Sequence, residues 1–136
     1  MNADAREDKK FRILSLDGGG SWALIQVRTL QALYGEDARG HAVLAHFDLV
    51  AANSGGALVL GALLENMPLT AIAQLFLDAA SRAKLFAPLG LTHIVDKVLQ
   101  ATLHVGAKYS TVAKLAGIQA LLPGIGGCAL NALPPP

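Results

Sequence analysis

The sequence predicts an α/β domain built on a parallel sheet. Two apolar runs at residues 11–16 and 47–52 read as strands, and each ends in a glycine-containing turn followed by a helical pattern. A strand, a helix and a strand in this order form a βαβ unit, so we expect parallel strands and a right-handed crossover. Hydrophobic residues make up 53% of the chain and charged residues 15%, against about 25% charged in an average domain. Most of the chain should therefore be buried.

The first helix is expected over about residues 22–34. Its apolar positions recur at a spacing of three, and Gly35 is a plausible end. The proposed buried face consists of Leu24, Val27, Leu30 and Leu33. Trp22 is interpreted as a packing residue of this helix, with a place beside a substrate channel as the alternative. A second, buried helix is expected over residues 55–64.

Four further segments follow. Pro68 suits the first turn of a helix over residues 69–80 that buries Ile72, Leu75 and Phe76. Residues 81–91 are predicted to be a loop, and Thr92 to cap another helix. Ser110 or Thr111 should cap a last helix ending near Leu122, before Pro123-Gly124.

These patterns divide the chain of 136 residues into a polar leader (1–10), one domain (11–122) and a tail without usable periodicity (123–136) that we expect to be unordered. Two strands are too few for a stable parallel sheet, so we expect the N-terminal half of a larger domain. No signal peptide or transmembrane segment is predicted. The single cysteine, Cys128, favours a reducing, cytoplasmic location. The net charge of +1 without a basic cluster predicts no nucleic-acid binding.

The first glycine-rich turn, Asp17-Gly18-Gly19-Gly20-Ser21, lies between a predicted strand and a predicted helix. Consecutive glycines permit positive φ and close approach, and a helix N-terminus attracts anions. The turn therefore suits a phosphate, an acyl-transfer oxyanion or tight packing alone. Its Gly-x-Gly-x-x-Ala spacing also matches a dinucleotide-binding βαβ unit, although no acidic residue ends the second strand to bind ribose.

The second turn, Ala52-Asn53-Ser54-Gly55-Gly56, resembles a G-x-S-x-G nucleophile elbow in which alanine replaces the first glycine. Small residues at both ends of that motif let strand and helix pass closely, with the serine exposed at the sharp turn. A serine that merely caps a buried helix is the alternative. Both turns follow parallel strands, and ligands of open α/β sheets bind at the carboxyl ends of such strands.

The segments DGGGSWAL and FDLVAANSGGAL together resemble the N-terminal half of a patatin-like phospholipase. This resemblance implies a three-layer α/β/α fold and a serine lipid acyl hydrolase with a Ser-Asp dyad. It further implies that Ser54 is the nucleophile, that Gly18, Gly19 and Gly20 form the oxyanion hole, and that Ala52 and Gly56 flank the elbow. A lipid or ester is the expected substrate, peripheral contact with a membrane surface is compatible with it, and no cofactor or metal is expected.

Three positions depart from the family pattern. Trp22 stands where a basic residue is usual, Ala23 where glycine is usual, and Ala52 at the first elbow glycine. In addition, no D-G-G or D-G-A motif follows Ser54, so the dyad aspartate has no counterpart in this chain. General-base assistance is worth about 10²–10⁴ in rate, and we therefore expect weak or no activity of this chain alone. The alternative is a non-catalytic fragment or interaction module.

Overall fold

A two-stranded parallel sheet organises the protein. The structure, a computed structural model, describes residues 10–86 and 111–125. Strands β1 (Ile13–Leu16) and β2 (Leu49–Ala52) pair in parallel, with Ile13 opposite Leu49 and Leu16 opposite Ala52. This confirms the predicted βαβ unit. Both strands begin two residues later than predicted, and just before the ladder the Arg12 carbonyl accepts hydrogen bonds from the amides of Asp48 and Leu49.

Helices make up most of the rest of the described chain. They are a 3-10 helix (Gly20–Ala23), α1 (Leu24–Tyr34), α2 (Gly40–Leu44), α3 (Ser54–Leu64), α4 (Leu69–Leu77), α5 (Ala79–Leu85) and α6 (Thr111–Leu121). Helices α3 and α6 confirm the predictions for those segments. The short helix α2 was not predicted, and the helix expected after Thr92 lies outside the described residues.

The buried face of α1 differs from the prediction at one position. Leu33 is 70% exposed, whereas Val27, Leu30 and Gln31 are buried. A helix turns by 100° per residue, so a strict spacing of three rotates away from the buried side by about 60° at each step. Leu33 is thereby carried round to solvent. The helix ends as predicted at Gly35, which has a φ of 98° and whose amide binds the Gln31 carbonyl.

The predicted helix over residues 69–80 is two helices, and the predicted loop after it begins as a helix. The backbone of Asp78 is extended, with a ψ of 128°, and its carboxylate accepts a hydrogen bond of 2.7 Å from the Ser81 amide. This is an N-cap, which ends α4 and starts α5. Helix α5 then continues to Leu85, a buried residue.

Only one face of the sheet contributes to the hydrophobic core. Leu14, Leu16 and Val50 pack towards α3, whose Val59 and Leu63 are fully buried. On the opposite face, Ile13 is 56% and Leu49 is 48% exposed. Within residues 10–86 and 111–125 no helix exceeds 11 residues, which is short of the roughly 20 residues that span a membrane. The first nine and last eleven residues lie outside the described part.

Candidate active site

Ser54 stands at a sharp turn between strand and helix. Strand β2 ends at Ala52, the Asn53 amide donates to the Leu16 carbonyl at 3.1 Å, and α3 begins at Ser54 itself. The φ of Ser54 is 45°, in a region that residues with a Cβ seldom occupy. Holding a side chain there costs about 1–2 kcal/mol. The side chain is exposed.

The two glycines after Ser54 bring the start of α3 against its neighbours. Both are buried. A Cβ on Gly56 would collide with the Leu16 carbonyl, and a Cβ on Gly55 would collide with the Gly20 carbonyl. Glycine at these positions therefore allows α3 to start in contact with both the end of β1 and the first glycine-rich turn.

The first turn lies directly beside the Ser54 turn. A Cβ on Gly18 would lie 2.5 Å from Asn53 Oδ1 and 3.2 Å from the Ser54 Cβ. Gly19 and Gly20 have φ values of 143° and 61°, which glycine adopts freely. Within residues 10–86 and 111–125 the amides of Gly18 and Gly19 donate no hydrogen bond. The two turns, more than 30 residues apart in sequence, thus lie together, with the unpaired amides of the first turn near the exposed hydroxyl of the second.

Gln26 holds the beginning of this surface in place, a role the sequence did not indicate. Its Nε2 donates to the Asp17 carbonyl at 2.7 Å from α1, while its buried Oε1 has no hydrogen-bond partner in the described part. A glutamine in the first turn of a helix is too common to signal such a contact. Trp22 differs from its predicted packing role, because it lies on the 3-10 helix and is 74% exposed.

Within residues 10–86 and 111–125 the Ser54 hydroxyl makes no hydrogen bond, either to an ionisable side chain or to any other group. His41 Nε2 binds the Leu64 carbonyl at 2.9 Å, and His46 stacks on Tyr34 with ring centroids 4.9 Å apart. Hydrogen bonds from Ser81 lower the pKa of Asp78. The part of the chain that the structure describes contains no group of three side chains suited to a metal.

A comparison with protein families agrees with this geometry. The family model described as Patatin-like phospholipase matches residues 14–122, which include both turns. Comparisons with curated proteins and with solved structures gave no match.

Proposed function

Because this chain belongs to the patatin-like phospholipase family, whose members are in general lipid hydrolases, we propose that Ser54 is the nucleophile of a serine acyl hydrolase. One observation carries the proposal: an exposed serine with a φ of 45° stands on a strand-to-helix turn, against a turn with unpaired amides. A serine that only capped α3 would have no reason to adopt the left-handed conformation, since N-cap residues are ordinarily extended.

The reaction would begin with attack of the Ser54 Oγ on the carbonyl carbon of an ester. As that bond forms, the serine proton passes to a base and the carbonyl oxygen becomes an oxyanion. The amides of Gly18, Gly19 and Gly20 are proposed to stabilise this charge, an effect worth about 2.7–4 kcal/mol for one donor in comparable sites. The leaving alcohol then departs with a proton, and water cleaves the acyl-serine.

The base is the component that this chain does not identify. Neither described histidine makes a hydrogen bond to Ser54: His41 Nε2 contacts the Leu64 carbonyl, and the His46 ring stacks on Tyr34. The sequence after Ser54 also lacks the family's aspartate motif. Without general-base assistance an alcohol is a poor nucleophile. We therefore expect turnover by these 136 residues to be slow, while a strongly activated phosphorus electrophile should still label Ser54.

The test is mass-spectrometric labelling with a lipid-like fluorophosphonate. An adduct on the peptide that contains Ser54, lost in Ser54→Ala, supports the assignment. Ser15→Ala is the matched control, because Ser15 is an exposed serine on the outer face of the sheet and its loss should leave labelling unchanged. Failure to label a chain whose circular dichroism shows a folded α/β domain would contradict the proposal.

The exposed outer face of the sheet, with Ile13 and Leu49, favours a second candidate, a non-catalytic interaction module. That candidate predicts self-association in sedimentation experiments without any labelling of Ser54. The exposed side chains of Trp22 and Ile25 suit contact with a lipid surface. The single cysteine of the chain favours the cytoplasm as its location.

A further inference from the structure

Two clefts meet beside the glycine-rich turn. The larger, of about 490 Å³, has the backbone of Gly19 and Gly20 on one side and Arg82 and Phe86 of the α5 segment on the other. The smaller, of about 260 Å³, is bounded by Trp22, Ile25, Phe76 and Leu77. Both clefts include Ser21 and Arg82, so they form a continuous depression whose two halves can hold different parts of one molecule.

The two halves differ in chemistry. Apolar side chains dominate the smaller cleft, and three of them are exposed although they are large: Trp22 (74%), Ile25 (60%) and Leu77 (41%). The larger cleft combines main-chain atoms of the glycine turn with a guanidinium. Arg82 is the one charged residue that lines either cleft among the described residues. An amphipathic molecule, with an anionic group next to an alkyl chain, matches this division.

The guanidinium of Arg82 is available for such a molecule. Helix α5 is fixed by its Asp78 cap, and the main chain of Arg82 is held at both ends, by Asp78 and Phe86. Its side chain is exposed and makes no hydrogen bond within residues 10–86 and 111–125. Beside the hydrogen bonds from Ser81, its positive charge helps to lower the pKa of the Asp78 carboxyl, but that carboxylate is already engaged by the Ser81 amide. The planar guanidinium fork matches phosphate oxygens better than a lysine ammonium would.

We propose that Arg82 is a specificity-determining residue that selects acyl esters bearing a phosphate close to the ester bond, with the acyl chain lying in the Trp22 cleft. This inference rests on the proposed function. Ser54 lines neither cleft, but the Gly20 backbone that borders the larger one also contacts Gly55, the residue next to Ser54. An ester held between these positions has its phosphate at Arg82 and its carbonyl at the glycine amides.

The experiment measures binding rather than turnover. Trp22 is the only tryptophan of the chain, so its fluorescence reports directly on the smaller cleft. The probes are octyl phosphate, the uncharged 1-O-octylglycerol and inorganic phosphate. The two octyl compounds are used below their critical micelle concentrations. We expect octyl phosphate to bind about fivefold more tightly than 1-O-octylglycerol, as suits a solvent-exposed charge pair, and we expect 1 M salt to remove that preference.

Arg82→Gln should abolish the preference while leaving 1-O-octylglycerol binding unchanged. Lys84→Gln is the matched control, because it removes a positive charge from the same helix at an exposed position outside both clefts. Unchanged preference in Arg82→Gln would overturn the assignment of Arg82. Inorganic phosphate binding as tightly as octyl phosphate would overturn the place of the alkyl chain.

Fluorophosphonate labelling of the same proteins separates this inference from the proposed function. Arg82-dependent binding without any Ser54 adduct would contradict the hydrolase but support an amphiphile-binding cleft. A Ser54 adduct together with octyl phosphate binding that does not depend on Arg82 would support the hydrolase and overturn the inference.

Discussion

Substituting Gly56 by alanine probes the contact between the start of α3 and the end of β1. The new Cβ would collide with the Leu16 carbonyl and lie 2.8 Å from the Asp17 carbonyl oxygen. Because non-bonded heavy atoms rest about 3.5–4.0 Å apart, the start of α3 must retreat by more than ~1 Å from β1. Such overpacking costs about 1–3 kcal/mol, and a backbone carbonyl cannot rotate away, so the cost belongs near the upper end.

Alanine also gains about 1 kcal/mol of helix propensity over glycine, which leaves a net loss of about 2 kcal/mol in the free energy of unfolding. For a domain of this size the loss lowers the melting temperature by roughly 6–10 °C. Urea unfolding followed by circular dichroism measures it. The same substitution should also slow fluorophosphonate labelling of Ser54, since the turn opens.

Gly61→Ala is the matched control within the same buried helix. A Cβ there meets methyl groups of Leu122 and Ile125 at 3.0 Å, and these side chains can turn aside. We expect its stability to stay within about 0.5 kcal/mol of the unsubstituted protein, because propensity offsets the crowding. Equal stabilities for Gly56→Ala and Gly61→Ala would refute the close contact between the start of α3 and the end of β1.

Two further predictions concern the strained turn and the helix cap. Ser54→Gly should be about 0.5–1 kcal/mol more stable than Ser54→Ala in urea unfolding, because only glycine adopts the positive φ without strain. Part of the gain is lost to the greater freedom of glycine in the unfolded chain. Equal stability of the two variants would argue against strain at this position. Asp78→Ala should lower the melting temperature at pH 7, since it removes the acceptor for the Ser81 amide. The pKa of Asp78 lies below its ordinary value of 3.8 in the folded protein, so its contribution is present above that value and disappears as the pH falls through the folded pKa. Asp78→Asn, which keeps the cap without the charge, should lose this acid dependence but little stability at pH 7; an unchanged acid dependence would contradict the role of the carboxylate.

Local signals account for the features that could be predicted. The strands, the stop at Gly35 and helices α3 and α6 depend on alternation, capping and glycine, which act within a few residues. Where two local signals compete, prediction fails: the apolar pattern over residues 69–80 suggested one helix, but the Asp78 side chain caps a new one. The strict spacing of three also misplaced Leu33 on the buried face of α1, because the buried positions of a helix follow its period of 3.6 residues.

The sequence by itself determined that two glycine-containing turns follow two parallel strands, and that the second turn carries a serine in elbow spacing. Only the tertiary structure decided that these turns touch, with Gly18 against Asn53 and Gly55 against Gly20. It also decided that Trp22 faces solvent and that Arg82 approaches the glycine turn from a helix about 60 residues away. Such contacts depend on how buried helices pack onto the sheet, since packing brings distant segments together by shape and burial that no local spacing encodes.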